Sequence, residues 1–234
     1  MTQPTALVAI SGDDVYEDLF TASRKLTDIA IAGGLVTRAA MGTGWAAGAA
    51  DNDLVVLYTA MGSFPEPAQA ALAAAVRAGT GLIAVHSANV FPGRDGALDP
   101  GCRQAFALIG SRFSGHGPAP HESRFTVRAD QGHPVTRGLA PFEISHEHYH
   151  LELAADVRVV AWRVTADGPE GGREPVVHVR EEGRGRVAYV QLGHDMRVWD
   201  DPAARGLLAR CIGWVRRDRP PARPDADADA EAAR

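Results

Sequence analysis

The chain has 234 residues, 45% of them hydrophobic and 23% charged, which is enough apolar material for one sizeable core in a single α/β domain. Its formal net charge of -5 argues against the basic face on which a nucleic-acid binder depends. Two cysteines without paired spacing, Cys102 and Cys211, exclude a disulfide framework; no positive charge precedes the short apolar run at 6–10, so no leader or membrane span is expected and the setting reads as cytoplasmic.

The apolar run 6–10 predicts a first strand, followed by the turn Ser11-Gly12-Asp13-Asp14 and a helical pattern over 16–32. Gly33-Gly34 stops that helix, and the runs 35–39 and 53–58 predict two more strands. A second helix is expected over 65–78, with proline suited to its first turn and Gly79 at its end. The next apolar run, 81–85, delivers His86 to a strand end. From 91 to 120 the pattern breaks into a loop, a helix over 103–109 and a Gly/Pro/His stretch over 114–121, a long polar connection of the kind that carries function.

Alternating segments over 123–128, 157–164 and 175–180 predict antiparallel strands added at one edge of the sheet. The run 187–192 delivers His194 much as 81–85 delivers His86. A last amphipathic helix over 202–215 carries Leu207, Leu208, Cys211, Ile212 and Trp214. Residues 216–234, with an Asp-Ala repeat and no apolar period, are expected to form a disordered tail after a single domain over 1–215.

Strands alternating with helices imply parallel βαβ units covered on both faces. Ligands of such sheets bind outside the carboxyl ends of the strands, so His86 and His194 are candidates for one shared site. Of nine histidines most cluster in loops after strands, which suits a metal or proton-transfer centre; His133, in a loop-to-turn device, and His178, inside a predicted strand, read instead as structural. The densest polar run is Ser145-His146-Glu147-His148-Tyr149-His150. In an extended segment His146, His148 and His150 share one face and Glu147 takes the other. The zinc-protease spacing H-E-x-x-H is absent, but His86 and His194 with Glu147 or a cluster histidine such as His146 meet the needs of a zinc site that keeps an open position.

Five segments in order give the chain a family resemblance: Gly-Thr-Gly-Leu-Ile-Ala-Val-His-Ser-Ala at 79–88, Gly-Ser-Arg-Phe-Ser-Gly-His at 110–116, His-Pro-Val-Thr-Arg-Gly-Leu at 133–139, His-Glu-His-Tyr at 146–149, and the run 183–195 ending Gln-Leu-Gly-His-Asp. On these it resembles the ThuA-like proteins, named for trehalose utilisation and similar in fold to class I glutamine amidotransferases. The resemblance covers about 7–215 and implies a flavodoxin-like, class I glutamine amidotransferase-like three-layer sandwich with a mostly parallel sheet and antiparallel edge strands. In class I amidotransferases the strand-to-helix turn carries a nucleophilic cysteine and a later strand its histidine base. Here those places fall to His86 and His194, which disfavours cysteine-dependent amide hydrolysis. Ser87 lacks the G-x-S-x-G elbow of a serine hydrolase.

The resemblance implies carbohydrate utilisation, with keto-sugars as candidate intermediates. The expected catalytic residues are His86, Glu147, His194 and Asp195, the expected substrate contacts Ser87, Asn89, His116, Tyr149 and Trp199, and the expected metal ligands His86, His146 and His194. Zinc is the expected ion, and no nucleotide cofactor is expected. A bound metal would polarise a sugar carbonyl or hydroxyl while Glu147 or Asp195 moves a proton. The blander reading has Glu147 paired with an arginine and Asp195 capping the element after its strand. The partner expected is a small carbohydrate, not nucleic acid or a membrane, and a homodimer is the commonest assembly. The alternative function is a non-catalytic sugar or metabolite sensor that has lost the amidotransferase nucleophile.

Overall fold

Along β1 (Thr5–Gly12), Leu7 and Ala9 join the apolar cluster on one face of the sheet while Val8 and Ile10 join the cluster on the other, and all four are buried. That double burial is what a strand covered on both faces requires, and it explains the absence of polar alternation in the sequence. The computed structural model describes residues 3–12, 15–60, 64–91, 97–117, 119–164 and 172–216. The tail expected from 216 onward lies, from 217, outside the described residues, as do Asp13, Asp14 and Pro118.

The chain continues through α1 (Leu19–Ala32), β2 (Val36–Met41), β3 (Leu54–Ala60), α2 (Glu66–Ala78), β4 (Gly81–Val85) and α3 (Arg103–Ile109). It then runs through β5 (Ser111–Gly115), β6 (Glu122–Ala129), β7 (Phe142–Glu147), β8 (His150–Leu153), β9 (Arg158–Val164), β10 (Arg173–Glu182), β11 (Gly185–Val190) and α4 (Pro202–Val215). Nine strands form one sheet in the order β2-β1-β3-β4-β11-β10-β9-β6-β7. The first five are parallel and follow the flavodoxin-like order; β10, β9, β6 and β7 extend the sheet by antiparallel pairs. Leu26, Ile29, Leu207, Leu208 and Ile212 of α1 and α4 cover one face, and Leu72, Val76, Leu108 and Ile109 of α2 and α3 cover the other.

The expected three-layer fold is therefore present, with mixed strands at the predicted edge. The 114–121 stretch was expected as loop, but its first residues belong to β5, which pairs with β8 in a separate two-stranded sheet. The 145–150 run is not one extended segment: β7 ends at Glu147 and β8 starts at His150, so period-two alternation fails across His148 and Tyr149. Each of the three cluster histidines consequently takes a different direction.

His178 of β10 is fully buried, stacked on Tyr189 at 5.1 Å between ring centroids, and neither of its nitrogens has a hydrogen-bond partner. Burial, with the charge of Arg180 behind it, pushes its pKa down to about 3 from 6.5. Because the unfolded chain takes up the proton first, this contribution to stability is complete above pH 6.5 and is lost as pH falls toward 3. Between pH 7 and 5 the loss from this residue is about 2 kcal/mol. Urea unfolding at the two pH values should show His178→Phe escaping most of that loss, since the phenyl ring keeps the stacking and carries no proton.

Candidate functional site

The parallel strands β1, β3, β4 and β11 end together, and the site is built just beyond them. His86 follows β4 directly and has φ +48°, the one positive φ at a non-glycine position among the described residues. A left-handed backbone at a bulky residue is costly and persists where surrounding contacts hold it. Those contacts are visible: Tyr189 Oη donates to the His86 carbonyl at 2.9 Å, and His86 Nδ1 donates to the Gln191 carbonyl at 2.7 Å. Opposite the bend, Gly193 has φ +140°, and a Cβ there would stand 3.1 Å from His86 Cβ. The pairing of Nδ1 turns Nε2 toward the site.

Three oxygens surround that nitrogen. Tyr149 Oη lies 2.9 Å away, with its ring stacked on the imidazole at 4.4 Å; Glu17 Oε1 and Glu147 Oε2 each lie 3.2 Å away. His194 Nδ1 approaches Glu17 at 3.5 Å and Glu147 Oε2 at 3.7 Å. Ligand atoms of Glu17, His86 and His194 all lie within 4.8 Å of one another, a group that could hold a metal ion.

Glu17 was not among the residues expected. The helical period read from Tyr16 onward absorbs it, but α1 starts only at Leu19. The cap is Asp18, whose Oδ1 accepts from Thr21 N at 2.8 Å. Tyr16 and Glu17 thus stand ahead of the helix. The Glu17 side chain turns into the crevice beyond β1, where Tyr58 Oη donates to Oε2 at 2.6 Å. An aspartate immediately ahead of an amphipathic run is the sequence signal that would have freed Glu17 from the helix.

The charges are strongly coupled. Burial raises the Glu17 carboxyl, but hydrogen bonds and charge from His194, His86 and Tyr58 outweigh it and bring the pKa down to about 2. Burial depresses His86, yet Glu147 and Glu17 overcome this and raise it to about 9. Glu147 is also held below the ordinary carboxylate value, burial being outweighed by His86 and then His194. His194 is raised, first by its hydrogen bond to Glu17.

His146 reaches the site but is unavailable to a metal, contrary to expectation. Its Nε2 accepts from Gly193 N at 2.8 Å and His194 N at 3.2 Å, and its Nδ1 donates to the Glu147 carbonyl at 3.1 Å. Burial and the neighbouring His86 charge press its pKa to about 3, so it is a neutral brace for the His194 loop. Asp195 follows the blander reading: it caps the turn Met196–Asp200 by accepting from Arg197 N at 2.9 Å and pairs with the Arg197 guanidinium. Trp199 is fully buried in the core cluster with Met196, Val198 and Leu207, and offers no face to a ligand.

Asn89 is likewise beneath the site and not in it, and Ser87 is buried with its Oγ unpartnered. Asn89 donates to Ser111 Oγ at 2.8 Å and accepts from Tyr189 Oη at 3.2 Å, bracing the turn His86–Asn89 from below. His116 is brought to the flank of Glu147, its Nδ1 3.4 Å from Oε1 and 3.1 Å from the His148 carbonyl. His148 Nε2 meets Ser123 Oγ at 2.7 Å, and His150 Nδ1 pairs with Glu174 at 2.8 Å. Glu147, His194, Lys25, Glu122, Arg124 and Arg197 are among the walls of an open, polar cleft of about 950 Å³.

An open, mostly parallel sheet with a crevice at the strand ends, and a histidine on the strained turn after the fourth strand, defines an α/β protein with an amidotransferase-like fold. The sequence profile of the ThuA family, described as trehalose utilisation, matches residues 47–215, and the chain belongs to this family. A ThuA-like protein from Parabacteroides merdae is 18% identical, covers 96% of this chain and 94% of its own, and superposes with a TM-score of 0.68. A second, from Bacteroides uniformis, is 17% identical over 92% and 93% of the two chains, with a TM-score of 0.66. A protein described as a GMP synthase component from Thermoplasma acidophilum is 10% identical, with coverage of 91% and 94% and a TM-score of 0.56, a likeness of fold. No curated protein matches the chain in sequence. Among the described residues no helix is long and apolar enough to cross a membrane.

Proposed function

We propose that this chain is an enzyme of cytoplasmic carbohydrate utilisation that binds a sugar or keto-sugar in the polar cleft and moves a proton on it beside a divalent metal held by Glu17, His86 and His194. The observation that carries this reading is the spacing of the donor atoms. Charge-assisted N–H···O bonds close to about 2.7–2.9 Å, whereas the histidine–carboxylate separations here are 3.2–3.7 Å. Ligands about 2.0–2.2 Å from a tetrahedral ion stand about 3.3–3.6 Å apart. Glu147 Oε2 is buried, near His86 and His194, yet has no well-formed hydrogen bond. The Nδ1–carbonyl bond of His86 is the outer contact by which ligating histidines are usually oriented.

Two imidazoles and a carboxylate with an open position form a catalytic zinc ligand set. Such an ion supplies Lewis-acid polarisation of a sugar carbonyl or hydroxyl oxygen. The rest falls to the chain. Glu147, ionised and at the cleft wall, takes the proton from the carbon next to the carbonyl; its return to the opposite face of that carbon completes an epimerisation, and its return to the former carbonyl carbon, with the adjacent hydroxyl proton passing to the carbonyl oxygen through water in the open cleft, completes an isomerisation. The Tyr149 ring holds the face of His86. Tyr58 fixes the orientation of Glu17.

The test is exchange of carbon-bound hydrogen. In deuterium oxide, metal-loaded protein should wash deuterium into the carbon next to the carbonyl of a keto-glucoside, read by proton NMR, and Glu147→Gln should stop it. Absence of exchange with every keto-sugar, alongside clear binding, would instead support the sensor reading.

A further inference from the structure

Beside the polar cleft lies a second depression of about 900 Å³, and its chemistry is different. Val15, Tyr16, Phe20 and Met41 line it, and they are 70%, 65%, 79% and 62% exposed. Apolar side chains in a polar-rimmed concavity mark a ligand groove or an interface. Here the concavity continues into the cleft: Tyr16 and Asp18 line both, and Glu17, between them in sequence, turns its carboxylate to His86. We propose that Val15, Tyr16, Phe20 and Met41 form a subsite for the second pyranose ring of a disaccharide whose first ring occupies the polar cleft, an assignment that rests on the sugar reading above.

The fit is chemical. A pyranose has an apolar C–H face and a polar rim; Tyr16 and Phe20 offer aromatic surface to the first, and Asp18 and Ser23 offer oxygen to the second. The volume lies within the range of small-molecule sites. A ligand crossing Tyr16 would have one ring on the apolar wall and its other ring against Glu147 and His194. Binding energy from the remote ring can then serve to orient the reacting one.

Calorimetric titration of the full chain with methyl α-D-glucopyranoside, trehalose and maltose tests this. The wild type should bind a disaccharide about three- to tenfold more tightly than the single-ring glucoside, a gap of the size expected for aromatic contact. Phe20→Ala and Met41→Ala should each narrow that gap while leaving the single-ring affinity unchanged, since neither side chain lines the polar cleft; both positions are exposed, so neither substitution threatens the fold. Equal binding of one- and two-ring sugars, or a preference that survives both substitutions, overturns the subsite and leaves the sugar reading intact. No binding of these sugars or of the keto-glucoside overturns both. If light scattering shows that Phe20→Ala converts a dimer to a monomer, the face is a contact between copies of the chain and the subsite is overturned.

Discussion

Glu17→Gln should lower divalent-metal affinity by more than about 100-fold, since loss of an outer contact alone typically costs 10–100-fold and Glu17 is placed as a ligand. The substitution is nearly isosteric. The glutamine oxygen can still accept from Tyr58 Oη, so circular dichroism should show the native fold with no metal retained after dialysis. His86→Ala should remove metal equally, but at a cost in stability, because it leaves the Gln191 carbonyl and Tyr149 Oη without their partner inside the protein. Undiminished metal affinity in Glu17→Gln would show that the carboxylate serves only to charge-balance His86.

Trp199→Ala should destabilise the fold by about 3–5 kcal/mol, the range for deleting a fully buried large aromatic. For a chain of this size that is a fall in Tm of roughly 6–20 °C. The indole fills the space between the turn Met196–Asp200 and α4, in one apolar cluster with Val198, Leu207 and Leu208. Metal affinity, measured well below the new Tm, should hardly change. A fall in sugar or metal binding without a fall in Tm would return Trp199 to the site from which its burial removes it.

These contrasts show which parts of the site were legible in the sequence. His86 and His194 could be read because each follows a continuous apolar run, and in an open parallel sheet strand ends converge by topology. Glu147 was readable as the carboxylate in a histidine-rich run. Which neighbour of Glu147 would face the same way was not, because the break between β7 and β8 depends on β5 pairing with β8, a contact with no local signature. Tyr149 was expected to meet a substrate and lies instead on His86.

Glu17 was hidden by a boundary. A helix drawn two or three residues too early turns a crevice residue into one more exposed position of an amphipathic pattern. The capping role of Asp18 decides the matter, and boundaries are where sequence patterns are weakest. Asp195 shows the converse: a polar residue beside a site histidine looked chemical, yet the turn that follows needed a cap. The fold was more legible than the site because burial on both faces of four of the five parallel strands, β1, β3, β4 and β11, writes itself as apolar runs, while a ligand set is assembled from separate loops.

The measurement that most directly tests the central claim is the metal content of purified, tag-free protein by mass spectrometry, compared with His86→Ala and His194→Ala variants whose folding is checked by circular dichroism. The account predicts close to one equivalent of zinc, manganese or iron per chain in the wild type and its loss from both folded variants. A wild-type protein that holds no divalent metal even after reconstitution would contradict it, and would leave Glu17, His86 and Glu147 as a proton-sharing cluster without an ion.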